Sequence, residues 1–178
     1  GSGEAEELTD SLQVRDAILN FPKQFAWQPE IENQERLKPA EITIIAGMGG
    51  SNLASGILKK ALTHRLIIEH RDYGLPNFPE ALLQQCLVVV SSYSGNTEEA
   101  LDAFDSALEL GLPLAAVSVG GRLIEKAKTQ GVPYVQIPDT GLQPRSALGF
   151  SLLALLKLLG EEAVLRETEG LQYQLKPQ

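Results

Sequence analysis

Two short segments concentrate groups that could hold an anion. Ser91-Ser92-Tyr93-Ser94-Gly95-Asn96-Thr97 places the hydroxyls of Ser92, Ser94 and Thr97 within six residues, directly after the apolar run Leu87 to Val90. Gly95 permits a tight turn before the helix that the next residues predict. Free backbone N–H groups and the positive end of that helix's dipole would converge on one space, which binds phosphate without a lysine. A helix cap at Ser94 or Thr97 needs only one hydroxyl, so three clustered ones favour an anion; the two roles can coexist.

The second segment is Gly47-Met48-Gly49-Gly50-Ser51-Asn52, between a predicted strand ending at Ala46 and a predicted helix beginning near Leu53. Its three glycines either bring N–H groups close to an oxyanion or simply ease a strand-to-helix turn. Ser51 adds a hydroxyl at the helix start. The spacing is not a dinucleotide fingerprint: the third glycine is absent, and Glu69 is the nearest acid to a second strand end.

Other reactive types read as structural. Glu98 and Glu99 fall in the first turn after Thr97, where the helix dipole favours carboxylates. His64 and His70 flank the second predicted strand and suit surface or capping roles. Tyr93 points away from its neighbouring serines and packs. Cys86, the one cysteine, excludes an intrachain disulfide and reads as a buried, inert thiol.

The elements that must position these loops alternate. Short β-branched or apolar runs occur at 41–46, 66–69, 87–90, 114–118 and 134–137. Helical patterns follow at 53–62, 97–110, 123–130 and 145–159, the second and third closed by Gly111 with Pro113 and by Gly131 with Pro133. Continuous apolar strands between helices predict a parallel sheet covered on both faces, a doubly wound α/β sandwich. Such sheets bind ligands at the carboxyl ends of their strands, near a topological switch point. Residues 1–39 read as a helical arm with Thr9 or Asp10 as a cap, 40–160 as the α/β domain, and 161–178 as a C-terminal helical tail.

A chain of 178 residues, 43% apolar and 21% charged, can bury one sizeable core. The net charge of −8 is concentrated at the ends, with −4 in the first 12 residues and −2 in the last 18. No basic stripe exists to follow a nucleic-acid backbone. The most apolar stretch, Leu148 to Leu159, is too short to span a membrane and is interrupted by Ser151 and Lys157. A soluble, cytoplasmic protein is expected, without nucleic-acid or membrane partners.

Three segments carry a resemblance. Ser92-Tyr-Ser-Gly-Asn-Thr-Glu-Glu99 is similar to the phosphate loop of the sugar isomerase (SIS) domain. With Gly47-Met-Gly-Gly-Ser51 and Pro144-Arg-Ser-Ala-Leu-Gly149, the chain resembles the N-terminal half of the bifunctional phosphoglucose/phosphomannose isomerases over residues 40–160. The resemblance implies a flavodoxin-like three-layer sandwich with a five-stranded parallel sheet. It also implies interconversion of aldose and ketose 6-phosphates without metal, nucleotide or other cofactor. On this likeness the substrate phosphate falls to Ser92, Ser94 and Thr97, helped by Ser51. Gly50 offers its N–H near the reacting carbons, and Arg145 stabilises the cis-enediol(ate). Physics agrees for Arg145, because an enolate needs a fixed positive partner. A cation at a predicted helix start opposes the dipole, so it fits better with an anion to meet than as a solvated surface arginine.

In that family the proton-transfer groups are a glutamate and a histidine associated with a second SIS half, with a C-terminal lysine also present. None is recognisable here. Two functions follow as expectations. One is a hexose 6-phosphate isomerase domain (glucose, fructose or mannose 6-phosphate) that needs a second half for catalysis. The other is a non-catalytic sugar-phosphate sensor or regulatory module. Single-domain 6-phospho-3-hexuloisomerases are less similar, since the helix at 150–159 carries no acid. A dehydrogenase-type nucleotide fold is a distant third. The arm and the apolar 148–159 helix suggest a homodimer or pairing with another SIS domain.

Overall fold

The computed structural model describes residues 12–47 and 52–174. Five strands form one all-parallel sheet: β1 (Ile42–Ala46), β2 (Leu66–His70), β3 (Cys86–Ser91), β4 (Leu114–Ser118) and β5 (Tyr134–Gln136). Their spatial order is β2-β1-β3-β4-β5. Among the described residues the α-helices are α1 (Leu12–Asn20), α2 (Asn52–Ala61), α3 (Glu80–Leu83), α4 (Glu98–Glu109), α5 (Gly121–Gln130), α6 (Leu148–Leu158) and α7 (Glu162–Gln174). The expected three-layer α/β sandwich is observed.

Alternation along each strand divides the interior into two cores. Ile45, Leu87, Val89, Ala115, Val117 and Val135 face α2 and α6, together with Ile18 of α1 and Val164 of α7. Ile44, Val88, Val90 and Ala116 face the other way, onto Ala100, Phe104, Leu123 and Ala127 of α4 and α5. Because both faces are covered, β3 and β4 are buried at every residue, which is why they read as unbroken apolar runs. Cys86 opens β3 fully buried, its Sγ 3.3 Å from the Leu82 carbonyl.

Helix α6 is apolar on nearly all sides because this chain covers most of it. Nine of its eleven residues are buried, against α2, α7 and the segment before β1. Its composition is therefore accounted for without a second domain. The helix also starts later than its pattern suggests. Residues Pro144–Ala147 form a separate 3-10 turn, and Ala147 is the residue preceding α6. Arg145 thus precedes the helix rather than sitting in its first turn.

The segment before β1 reaches both ends of the sheet. Glu32 and Tyr134 exchange backbone hydrogen bonds of 2.9 and 3.1 Å as an antiparallel bridge along the outer edge of β5. Arg36 donates to the carbonyls of Gln130 and Gly131, a cation on the negative end of α5. Gln24, only 6% exposed, donates to Ser146 O at 2.6 Å and accepts from Gly149 N at 2.9 Å and Phe150 N at 3.3 Å. One carboxamide from the arm thereby grips the Arg145 turn and caps α6.

Candidate functional site

The chain reverses direction across the sheet between β1 and β3, the switch point at which such folds open a crevice. The register pairs Ala46 of β1 with Val90 of β3, so the loops leaving both strands start side by side at the carboxyl edge. Gly50 and Ser51 of the first loop lie outside the described residues.

The second loop folds around its own hydroxyls. Ser92 is fully buried, and its Oγ accepts from Gly95 N at 3.1 Å and from Thr97 Oγ1 at 3.0 Å. Ser94 is exposed, and its Oγ accepts from Asn96 N at 3.1 Å. Thr97 is the residue preceding α4, yet its side chain makes no capping hydrogen bond. An α-helix leaves its first amides without intrahelical acceptors, and here the residue placed to satisfy one turns its hydroxyl down to Ser92 instead. The result is an uncapped helix start beside an exposed serine, with a half-buried threonine at its base. Helix capping therefore does not account for the hydroxyl at Thr97.

A neighbouring loop supports this arrangement. Gly95 has φ +76°, and a Cβ there would overlap the carbonyl oxygen of Gly120. Gly121 has φ +68°, and a Cβ there would overlap Ser94 O. Val119 N donates to Tyr93 O at 3.0 Å, and Ser118 Oγ lies 3.2 Å from the same oxygen. In return Gly95 O accepts from Leu123 N at 2.9 Å and Asn96 Oδ1 from Arg122 N at 2.9 Å. The loop after β3 thus supplies the cap of α5 while its own helix goes uncapped. Gly120-Gly121 directly after an apolar strand was the available signal for this close approach.

The other candidates separate by their place on the sheet. His64 precedes β2 at the amino edge, six residues, or about 20 Å of extended chain, from His70 at the carboxyl edge. His64 Nε2 lies 2.7 Å from Glu161 Oε1, and Arg65 Nε donates to the same oxygen at 2.5 Å. Burial alone would raise the Glu161 carboxyl, but the hydrogen bonds and charges of Arg65 and His64 outweigh it and hold it below the ordinary carboxylate range. A cavity of about 950 Å³ opens beside this cluster, between Arg65, Leu66, Leu87 and Leu159. It lies at the wrong end of a parallel sheet for the hydroxyl-rich loop, so we place the site at the carboxyl edge.

His70 Nε2 lies 3.1 Å from Tyr73 O. Tyr73 donates its hydroxyl to Glu98 Oε2 at 2.9 Å, and Gly74 N donates to Asp102 Oδ2 at 2.6 Å. The chain after β2 therefore leans on the first turns of α4. The hydrogen bond to Glu98, with the surrounding acids, pushes the Tyr73 phenol above its usual range. Arg145 is exposed on its 3-10 turn and pairs with no acid among the described residues. Tyr93 packs into the α2/α6 core as expected.

No protein-family model matches the chain. It is 37% identical over 150 residues to a bifunctional phosphoglucose/phosphomannose isomerase of Caldicellulosiruptor bescii, covering 80% of this chain and 43% of that protein. The corresponding isomerase of Aquifex aeolicus is 36% identical over 152 residues, covering 83% and 45%. The fold matches the sugar isomerase domain of an RpiR transcription factor from Sphaerobacter thermophilus, with TM-score 0.54 and 18% identity over 89% of this chain and 92% of that one. The chain has the fold of a sugar isomerase (SIS) domain and is similar in sequence to part of a bifunctional phosphoglucose/phosphomannose isomerase. This SIS domain spans less than half the length of those curated relatives. A D-glucosamine-6-phosphate 4-epimerase of Sulfolobus acidocaldarius is also similar, at 30% identity over 126 residues, covering 70% of this chain and 39% of that protein. The Vibrio vulnificus NanR protein complexed with ManNAc-6P shares the fold of the SIS domain, with TM-score 0.50 and 19% identity over 99% of this chain and 69% of that one.

Proposed function

We propose that this SIS domain holds the phosphate of a hexose 6-phosphate on the loop after β3 and contributes Arg145 to an aldose–ketose isomerisation. The observation that carries the reading is the uncapped start of α4 beneath Ser94, with Thr97 tied to Ser92 rather than to the helix. In this reading Ser94 and the amides of the first helical turn meet the phosphate, Thr97 turns its proton from Ser92 to it on binding, and Ser51 would help. Ser92 holds the Thr97 hydroxyl from beneath. The isomerase relatives and the 6-phosphosugar epimerase support the ligand class.

The chemistry moves a proton between C2 and C1 through a cis-enediol(ate). The Arg145 guanidinium would stabilise the developing oxyanion, and Gly50 would offer its N–H near the reacting carbons. The general base and the group that opens the sugar ring would come from the part of the relatives' length that this chain does not span. Positioned bases contribute typically about 10²–10⁴-fold. Glucose and mannose 6-phosphates are the proposed aldoses, the cytoplasm the compartment, and a second SIS domain or second copy the partner.

Calorimetry tests the binding. Glucose 6-phosphate or fructose 6-phosphate should bind, and unphosphorylated glucose should not. Ser94→Ala with Thr97→Ala should weaken binding substantially, since each hydrogen bond to a charged group contributes about 1.5–3 kcal/mol. Equal affinity for glucose and its phosphate would overturn the reading. Alone, the chain should isomerise little or no fructose 6-phosphate. The missing half supplied in trans should restore turnover, and Arg145→Ala should then abolish it without loss of phosphate binding. Binding without turnover in any such mixture would favour the sensor reading, which the SIS folds of the RpiR regulator and of NanR with ManNAc-6P support.

A further inference from the structure

The start of α4 carries a conflict of charge. The amides proposed to meet the phosphate belong to its first turn, and Glu98 and Glu99 occupy that same turn. The positive end of a helix draws carboxylates as well as phosphates, so the two kinds of anion compete for one field. Thr97 makes no capping hydrogen bond, which leaves free amides that a first-turn carboxylate can also accept from.

The loop after β2 resolves this conflict at Glu98. Tyr73 donates its hydroxyl to Glu98 Oε2 at 2.9 Å. The tyrosine is itself held in place. Its amide donates to Asp72 Oδ1 at 2.7 Å, and its carbonyl lies 3.1 Å from His70 Nε2. The next amide, Gly74 N, donates to Asp102 Oδ2 at 2.6 Å, one turn further along α4. Tyr73 is 51% exposed, so core packing does not account for this fixing. Glu98, Glu99 and Asp102 together keep the phenol protonated, and therefore a donor. The tether is also neutral. Arg71, the basic side chain of the loop, pairs instead with Glu69 Oε2 at 2.7 Å. A phenol draws the carboxylate aside without setting up a rival cation for the phosphate.

We propose that Tyr73 is a positioning residue for phosphate affinity, tethering the Glu98 carboxylate to the loop after β2 and so keeping the start of α4 open to a sugar phosphate. This rests on the phosphosugar reading above. Tyr73 touches no ligand in this role. Without it, Glu98 turns to the free amides and places a full negative charge beside the phosphate.

Calorimetry with glucose 6-phosphate and fructose 6-phosphate tests this on wild type, Tyr73→Phe, Glu98→Gln and the double variant. Tyr73→Phe should weaken both ligands by about fivefold or more, the size expected when one charge moves close to another near a protein surface. Glu98→Gln should bind at least as tightly as wild type. The double variant should recover wild-type affinity, although its tether is as broken as that of Tyr73→Phe and its melting temperature no higher. A purely structural tyrosine predicts the opposite, with Glu98→Gln weaker than wild type and the double variant no better than Tyr73→Phe. Either of those results would overturn the proposal, as would wild-type affinity in Tyr73→Phe. Should Tyr73→Phe fail to fold, Glu98→Gln still decides, because weakened binding there contradicts a competing charge. These failures leave the phosphosugar reading intact. If wild type binds neither sugar phosphate, that reading fails and takes this inference with it.

Discussion

Thr97 and Ser92 are joined hydroxyl to hydroxyl at 3.0 Å, with the amide of Gly95 on the same serine oxygen at 3.1 Å. One fully buried atom thus sets the height of the threonine and the path of the turn. Ser92→Ala removes it and strands two donors. Stability should fall by about 1–3 kcal/mol, read from chemical denaturation. Sugar-phosphate affinity should fall with it, because the loop loses its shape.

Gly95→Ala should be among the most damaging small changes in the chain. It places a methyl group on the Gly120 carbonyl and forces an L-residue to φ +76°. A loss of about 3 kcal/mol or more is expected, with phosphate binding abolished in whatever folded protein remains. A melting curve like that of wild type would show that the two loops can part without cost.

The acid limb of stability should depend on Glu161. Its folded-state carboxyl titrates below the ordinary value because Arg65 and His64 outweigh its burial. The sign follows from linkage: the contribution is present above the unfolded value, about pH 4.3, and is lost as pH falls through the folded one. Glu161→Gln should cost about 1–3 kcal/mol at pH 7. It should also flatten the decline in stability between neutral pH and pH 3, measured as denaturation midpoints across that range.

Thr43, in β1, should be improvable. Its hydroxyl is buried with no hydrogen-bond partner, on a residue 1% exposed. Thr43→Val keeps the shape and removes the orphan, so the melting temperature should rise, by an amount equivalent to roughly 1 kcal/mol. A fall would mean that the oxygen is satisfied in solution.

The sheet was legible because strands covered on both faces are mostly apolar, with buried polar residues such as Thr43 only at single positions, and each apolar run maps onto a strand within one or two positions. Helix α3 was not, being four residues long and preceded by Pro79. The hydroxyl cluster at Ser92, Ser94 and Thr97 was visible from composition alone. Which hydroxyl faces which was not, because the Ser92–Thr97 contact depends on a turn closed by a different loop. Gln24 left no trace at all. Its role appears only when the chain brings it to Ser146, 122 residues away. The same holds for Arg36 on the end of α5, and for the late start of α6, whose apolar pattern runs on through a 3-10 turn.

The bridge between Glu32 and Tyr134 also limits how these sheets can grow. It occupies the outer rim of β5 at Tyr134, where a foreign strand would have to displace it. At the opposite rim, β2 has no neighbour among the described residues, and its Leu66 is 56% exposed. A sheet with a single free rim can accept one more strand ladder and then stops. Two copies joined through β2 would close on each other about a twofold axis, leaving nothing for a third. Strand-by-strand polymerisation into a fibre is thereby disfavoured by the arrangement of the described residues.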